Sequence, residues 1–177
     1  MPPSTNGSSP ASDAPADGSH PDAGSGLLIH LDGSCFGRNG AGGWAAILDW
    51  CDGAGRSLAQ TVLTGGEAAS TNNRMELAGA IAALRATPGE AATLISDSHY
   101  LVEGITRWVG PWRSRGWRNG RGERVANRDL WRELDALAAG RDLRWVWTKG
   151  HAGTAGNEAA DRLAYAEASS RRAPARR

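Results

Sequence analysis

The chain has 177 residues, with 20 Lys+Arg against 19 Asp+Glu, a net charge of +1 and 8 tryptophans. That length suits one domain with a real core, and totals this close to neutral do not announce a nucleic-acid binder. No apolar run approaches the ~20 residues of a membrane span. The N-terminus lacks the basic start and apolar stretch of a secretory signal. Cys35 and Cys51 are too few for a disulfide scaffold and lack zinc-ligand spacing, so a reducing, cytoplasmic setting is expected.

Residues 1–26 are Pro, Gly, Ser, Ala and Asp with almost nothing apolar, a composition that cannot offset its ordering entropy and is expected to be disordered. LLIHLDGSC (27–35) reads as a short apolar strand ending in Asp-Gly, followed by GRNGAGG (37–43), a turn rich in residues that tolerate positive φ. GWAAILDW (43–50) and RSLAQTVLTG (56–65) read as two more strands joined through Asp52-Gly53, completing an antiparallel meander. From Asn72 the period changes: Leu77, Ala80, Ile81 and Leu84 follow helical spacing, and Pro88-Gly89 ends the helix. AATLIS (91–96) is a buried strand, Ser98 to Trp108 a helix, and Asn127 to Ala139 a helix with Leu130, Leu134, Leu137 and Ala138 inward. DLRWVWT (142–148) is a strand, Asn157 to about Ala168 the last helix, and SSRRAPARR (169–177) a frayed basic tail. This order gives an α/β domain over 27–168, a five-stranded mixed sheet in which parallel strands extend the meander and helices cover both faces.

Asp32 closes the first strand, Asp97 closes LISD, Glu76 lies in the first turn of the helix after TNNRM, and Asp161 sits in the last helix. Each has an ordinary reading: a turn for Asp32, a helix cap for Asp97, a capping box for Asn73 with Glu76, a solvated position for Asp161. Together they say more. The first strand and the first parallel strand are natural neighbours, so Asp32 and Asp97 fall at adjacent strand ends, where two helices can bring Glu76 and Asp161. Carboxylates gathered this way repel, and a divalent cation relieves the repulsion. Oxygen-only ligands favour magnesium or manganese over zinc, and a pair of such ions can serve phosphodiester hydrolysis.

DGSC (Asp32 to Cys35), TNNRMEL (Thr71 to Leu77), SDS (Ser96 to Ser98), NRDLW (Asn127 to Trp131) and WTKGHAG…NEAAD (Trp147 to Asp161) together resemble type 1 ribonuclease H. The resemblance spans about residues 27–168 and implies the ribonuclease H-like fold. It also implies endonucleolytic cleavage of the RNA strand of RNA–DNA hybrids, leaving 3′-hydroxyl and 5′-phosphate ends. It places the catalytic, metal-binding carboxylates at Asp32, Glu76, Asp97 and Asp161, with two Mg2+ ions per site and Mn2+ as a substitute. Asp32 bridges both ions, Asp161 completes the site of the ion that activates water, and Glu76 and Asp97 serve the leaving-group side. Glu76 also lies close to a ribose 2′-hydroxyl, the group by which a protein tells RNA from DNA. His151, set among Gly150, Gly153 and Gly156, matches a loop histidine that assists proton transfer and product release. The alternatives are another nuclease of the superfamily, a resolvase or an exonuclease, and a hybrid-binding module without catalysis.

For the partner, a hybrid duplex held by a monomer, the resemblance points to Thr71, Asn72, Asn73 and Cys35 facing the minor groove and a DNA phosphate, with Asn127 at the phosphate site. Short polar side chains suit a wide, shallow groove. His99 stands where the family often has glutamine, and Arg38-Asn39 where it often has Asn-Pro; both are expected to border the groove. RWVGPWRSRGWRNGRGERVANR (107–128) is a basic block in a neutral protein, and Arg113, Arg115 and Arg118 are assigned to phosphate contacts. Its tryptophans are assigned mostly to packing, and Trp44, Trp131, Trp145 and Trp147 to the core.

Overall fold

The computed structural model describes residues 26–150 and 155–172. The N-terminal extension through residue 25, His151 and the tail beyond residue 172 lie outside the described residues. β1 (Gly26–Cys35), β2 (Gly40–Cys51) and β3 (Ser57–Ser70) form the meander. α1 (Asn72–Ala86) leads into β4 (Ala92–Ser96). A broken helix follows: α2 (His99–Glu103), a π-helical turn (Gly104–Trp108) and α3 (Val109–Ser114). The chain then forms α4 (Arg128–Ala138), β5 (Leu143–Trp147) and α5 (Ala155–Ser170). The sheet order is β3-β2-β1-β4-β5, with β1 antiparallel to β2 and parallel to β4, and β4 parallel to β5.

The turns explain themselves chemically. Between β1 and β2 the chain turns through Gly37 (φ 68) and Asn39 (φ 62), residue types that accept the left-handed region. Between β2 and β3 the Asp52 carboxylate accepts from the backbone N–H groups of Ala54 (2.9 Å) and Arg56 (3.0 Å), closing the turn with its own side chain. The meander is longer than its apolar pattern suggests. β2 starts at Gly40 and β3 runs to Ser70, because backbone pairing continues through the glycines past an irregularity between Gly40 and Gly42.

The alternation along β1 divides the core. Leu27, Ile29 and Leu31 face one side, where Ala46 and Leu48 of β2 meet Leu77, Ala80, Ile81 and Leu84 of α1, Leu101 of α2, and Trp131 and Leu134 of α4. On the other face Ala45 and Ile47 pack against Ala160 and Ala164 of α5. Ala160, Ala164 and Ala168 recur every four residues and are fully buried, so α5 lies on the sheet through a stripe of methyl groups. Helices therefore cover both faces, as the element order predicts.

The helix ends differ from the sequence reading in ways that bear on the site. α1 is capped by the Thr71 hydroxyl, which accepts from Arg74 N at 3.4 Å, rather than by an Asn73–Glu76 box. α2 is capped by the Ser98 hydroxyl accepting from Leu101 N at 3.2 Å, which leaves Asp97 free of that duty. α5 begins at Ala155, ahead of the expected start, so Asn157 lies within the helix, 3% exposed.

Candidate active site

The parallel register of β1 and β4 pairs Leu31 with Ser96, so Asp32 and Asp97 leave neighbouring strands side by side. This is the carboxyl end of the parallel strands, where open α/β sheets place ligands. Glu76 reaches the same point from the second turn of α1. A Cβ built on Gly33 would lie 2.5 Å from Glu76 N, so only glycine lets the start of α1 rest on β1 at this distance. The three carboxyl groups each offer an oxygen, and these oxygens all lie within 4.8 Å of one another. Asp161 does not belong to that closest group. It stands on α5, near enough for its charge to weaken Asp32 as an acid and raise its pKa.

Asp32 and Glu76 are each 6% exposed. Burial, and then the charges of Asp97 and Asp161, push the Asp32 carboxyl up from 3.8 to about 8, opposed in part by a hydrogen bond from the Gly33 N–H. The Asp97 carboxyl also lies close enough to the Asp32 side chain to push it further in the same direction. Glu76 is raised well above the ordinary carboxylate range by burial, then by Asp32 and Asp97, while the Gly33 N–H and the Ser96 hydroxyl act in the opposite direction. Its Oε2 is buried without a hydrogen-bond partner. A fold that buries acids at mutual cost, with one oxygen orphaned, has built a receptor for positive charge. The donor set is all oxygen, so the residues fit a hard divalent cation.

The expected substrate-facing residues stand at the ends of elements. Asn72 and Asn73 are exposed at the start of α1, with Thr71 half-buried as its cap. Cys35 is half-buried at the end of β1, its thiol against the carbonyl oxygens of Gly37 (3.3 Å), Gly40 (3.4 Å) and Ser70 (3.3 Å). Asn127 precedes α4 with φ 54, and its amide donates to the Tyr100 hydroxyl at 3.1 Å. The same hydroxyl accepts from the Trp131 indole at 2.8 Å, so Asn127 is tied to the core. Arg74 bridges the two helix starts, donating to the Asp129 carboxylate at 3.3 and 3.4 Å.

The basic block follows α2 through α3 and the loop after it. Arg113 is committed to Asp135, with contacts of 3.0 and 2.6 Å, and Arg118 donates to the Gly122 carbonyl at 2.6 Å. Arg115, Arg121 and Arg124 are exposed. Trp112 and Trp117 pack partly buried against the core. Trp108 is 37% exposed beside Trp112.

Trp131 and Trp145 belong to the core as assigned. Trp147 does not: it is 42% exposed at the last residue of β5. Its ring stacks on His99, and its indole N–H donates to the Asp97 carbonyl at 2.9 Å. Sequence reasoning missed Trp147 and Ser96 as parts of the site. The available signal was position, since Ser96 opens the SDS block and Trp147 opens the WTKGHAG block, but a strand tryptophan reads as core by residue type alone.

Residues 24–169 match the RNase H family. The chain belongs to the ribonuclease H family. It is 47% identical over 140 residues to the ribonuclease H of Maricaulis maris (strain MCS10), covering 78% of this chain and 90% of that one. It is 47% identical over 141 residues to the ribonuclease H of Paracoccus denitrificans (strain Pd 1222), covering 79% and 90%. Among solved structures it is similar to LC9-RNase H1, a type 1 RNase H with the type 2 active-site motif, with a TM-score of 0.74, 34% identity, and coverage of 84% of this chain and 74% of that one. The enzyme is a phosphodiester hydrolase, and its activity is hydrolysis of the RNA strand of RNA–DNA hybrids.

Proposed function

We propose that this ribonuclease H works with a pair of Mg2+ ions held by Asp32, Glu76, Asp97 and Asp161, on a hybrid duplex bound by a monomer in the cytoplasm. The observation that carries the metal reading is the convergence of Asp32, Glu76 and Asp97 with Asp32 raised to about 8. When bound, the ions supply Lewis acidity and a nucleophilic water at neutral pH.

The chain's own residues do the rest. Asp32 lies within reach of Glu76 and Asp97 and feels the charge of Asp161, and so serves both halves of the site. Ser96 and Gly33 hold Glu76 in place through hydrogen bonds to its carboxylate. Thr71, Asn72 and Asn73, rigid at the capped start of α1, meet the sugar edge of the hybrid. Cys35 and His99 border the same groove. Asn127, fixed by Tyr100, takes a phosphate, and Arg113, Arg115 and Arg118 draw in the backbone further out. His151 lies outside the described residues; its role is to move a proton at the scissile phosphate and speed product departure.

The test uses a labelled RNA–DNA hybrid and a labelled double-stranded RNA, each with Mg2+ or with EDTA. Cleavage of the RNA strand of the hybrid, dependent on Mg2+ and lost in Asp32→Asn while hybrid binding persists, is the expected result. Turnover in EDTA, or wild-type turnover by Asp32→Asn, would overturn the metal reading.

A further inference from the structure

Asp97 sits in the short turn between β4 and α2. It is half-buried, it follows the last residue of β4, and Ser98 rather than Asp97 caps the helix that begins next. The chain between β4 and α2 must nevertheless hold one peptide orientation if the carboxylate is to meet Asp32 and Glu76. Three contacts from the end of β5 act on that turn. Thr148 N donates to the Ser96 carbonyl at 3.0 Å, extending the parallel pairing by one peptide. The Trp147 indole N–H donates to the Asp97 carbonyl at 2.9 Å. A Cβ built on Gly150 would stand 2.5 Å from Asp97 Oδ2, so the backbone of the segment leading to His151 lies directly against the carboxylate.

The indole is itself held. Its ring lies nearly parallel to the His99 imidazole, with centroids 4.2 Å apart and planes 22° apart. His99 is the first residue of α2, so the stack joins β5 to the same short turn that the hydrogen bond grips. A tryptophan that is 42% exposed gains little from burial where it stands. Its N–H reaches a backbone carbonyl that no helix or strand bond claims.

We infer that Trp147 is a positioning residue for Asp97: the indole N–H, steadied by the His99 stack, fixes the turn that aims the Asp97 carboxylate into the cation site. The inference rests on the metal reading above. Its effect falls on cation affinity and turnover, and not on the grip of the duplex, which lies with other residues.

The test is Trp147→Phe, which keeps a ring over His99 and removes only the donor. A neutral hydrogen bond worth about 1 kcal/mol corresponds to roughly a fivefold change in affinity. Calorimetric titration with Mg2+ alone, without substrate, is expected to show about fivefold weaker binding. At subsaturating Mg2+, kcat falls by a similar factor while KM for the hybrid stays at its wild-type value and the melting temperature in EDTA falls by no more than about 2–4 °C. Wild-type Mg2+ affinity in the variant, or a defect confined to KM, would overturn the assignment. In the wild-type protein, the 15N-labelled indole N–H resonance of Trp147 is expected to shift along the Mg2+ binding curve, a measurement that does not depend on the variant folding. A resonance that ignores Mg2+ counts against it. Absence of Mg2+-dependent cleavage by the wild type would instead refute the metal reading itself.

Discussion

Replacing Asp32 with asparagine is expected to inactivate the enzyme and, without metal, to stabilise it. Asp32 carries an ordinary value of 3.8 when the chain is unfolded and about 8 when it is folded. Between these limits the folded chain keeps a proton that the unfolded chain releases, so stability is highest at the acidic end and falls as pH rises toward 8. Each pH unit in that window costs about 1.4 kcal/mol, so the whole fall is on the order of 5 kcal/mol. Glu76 is raised as well and adds a slope of the same sign. Asparagine at 32 cannot ionise, and removes the Asp32 share. At about 2–4 °C per kcal/mol for a chain of this size, Asp32→Asn in EDTA should melt on the order of 10 °C above wild type at pH 8.5. At pH 5, little more than a unit above 3.8, the gap should shrink to roughly 3–7 °C. Scanning calorimetry at both pH values, in EDTA and then in excess Mg2+, is the measurement. Mg2+ should raise the wild type at pH 8.5 and do far less for the variant. Parallel melting curves for the two proteins across the pH range would refute the claim that the fold stores electrostatic cost at this carboxylate.

Gly33→Ala should be far more damaging than its size suggests. The new methyl would press on Glu76 N, and overpacking costs about 1–3 kcal/mol, so a melting point several degrees lower and strongly reduced turnover are expected. A fully active, equally stable variant would show that α1 can move back freely. His151→Ala should slow hybrid cleavage without silencing it, with the larger effect in multiple-turnover assays; an unchanged rate would remove His151 from the mechanism. Reversing Arg115 and Arg118 should weaken hybrid binding and flatten its dependence on salt, measured by fluorescence anisotropy across a salt series. Arg113→Glu should in addition lower the melting temperature, because Arg113 holds Asp135 through a bidentate pair, whereas Arg115 has no such partner among the described residues.

The sequence by itself determined the elements and the kind of chemistry. Period-2 and period-3.6 patterns are written by burial of one face, so the five strands and the main helices were legible from Leu27–Leu31 onward. The acids were legible because Asp32 and Asp97 each end an apolar run, where chance seldom places a charge. What a pattern cannot carry is the meeting of distant segments. Only the β1–β4 register sets Asp32 beside Asp97, only Gly33 lets α1 come close enough for Glu76 to join them, and only the packing of α5 on the sheet brings the Asp161 charge to bear on Asp32. Trp147 is the sharpest case. Its residue type and strand position both suggest core, yet it stands exposed with its N–H on the Asp97 carbonyl. The reason is that a side chain's solvent access depends on what packs against it, which is a property of the assembled fold rather than of any local stretch of chain.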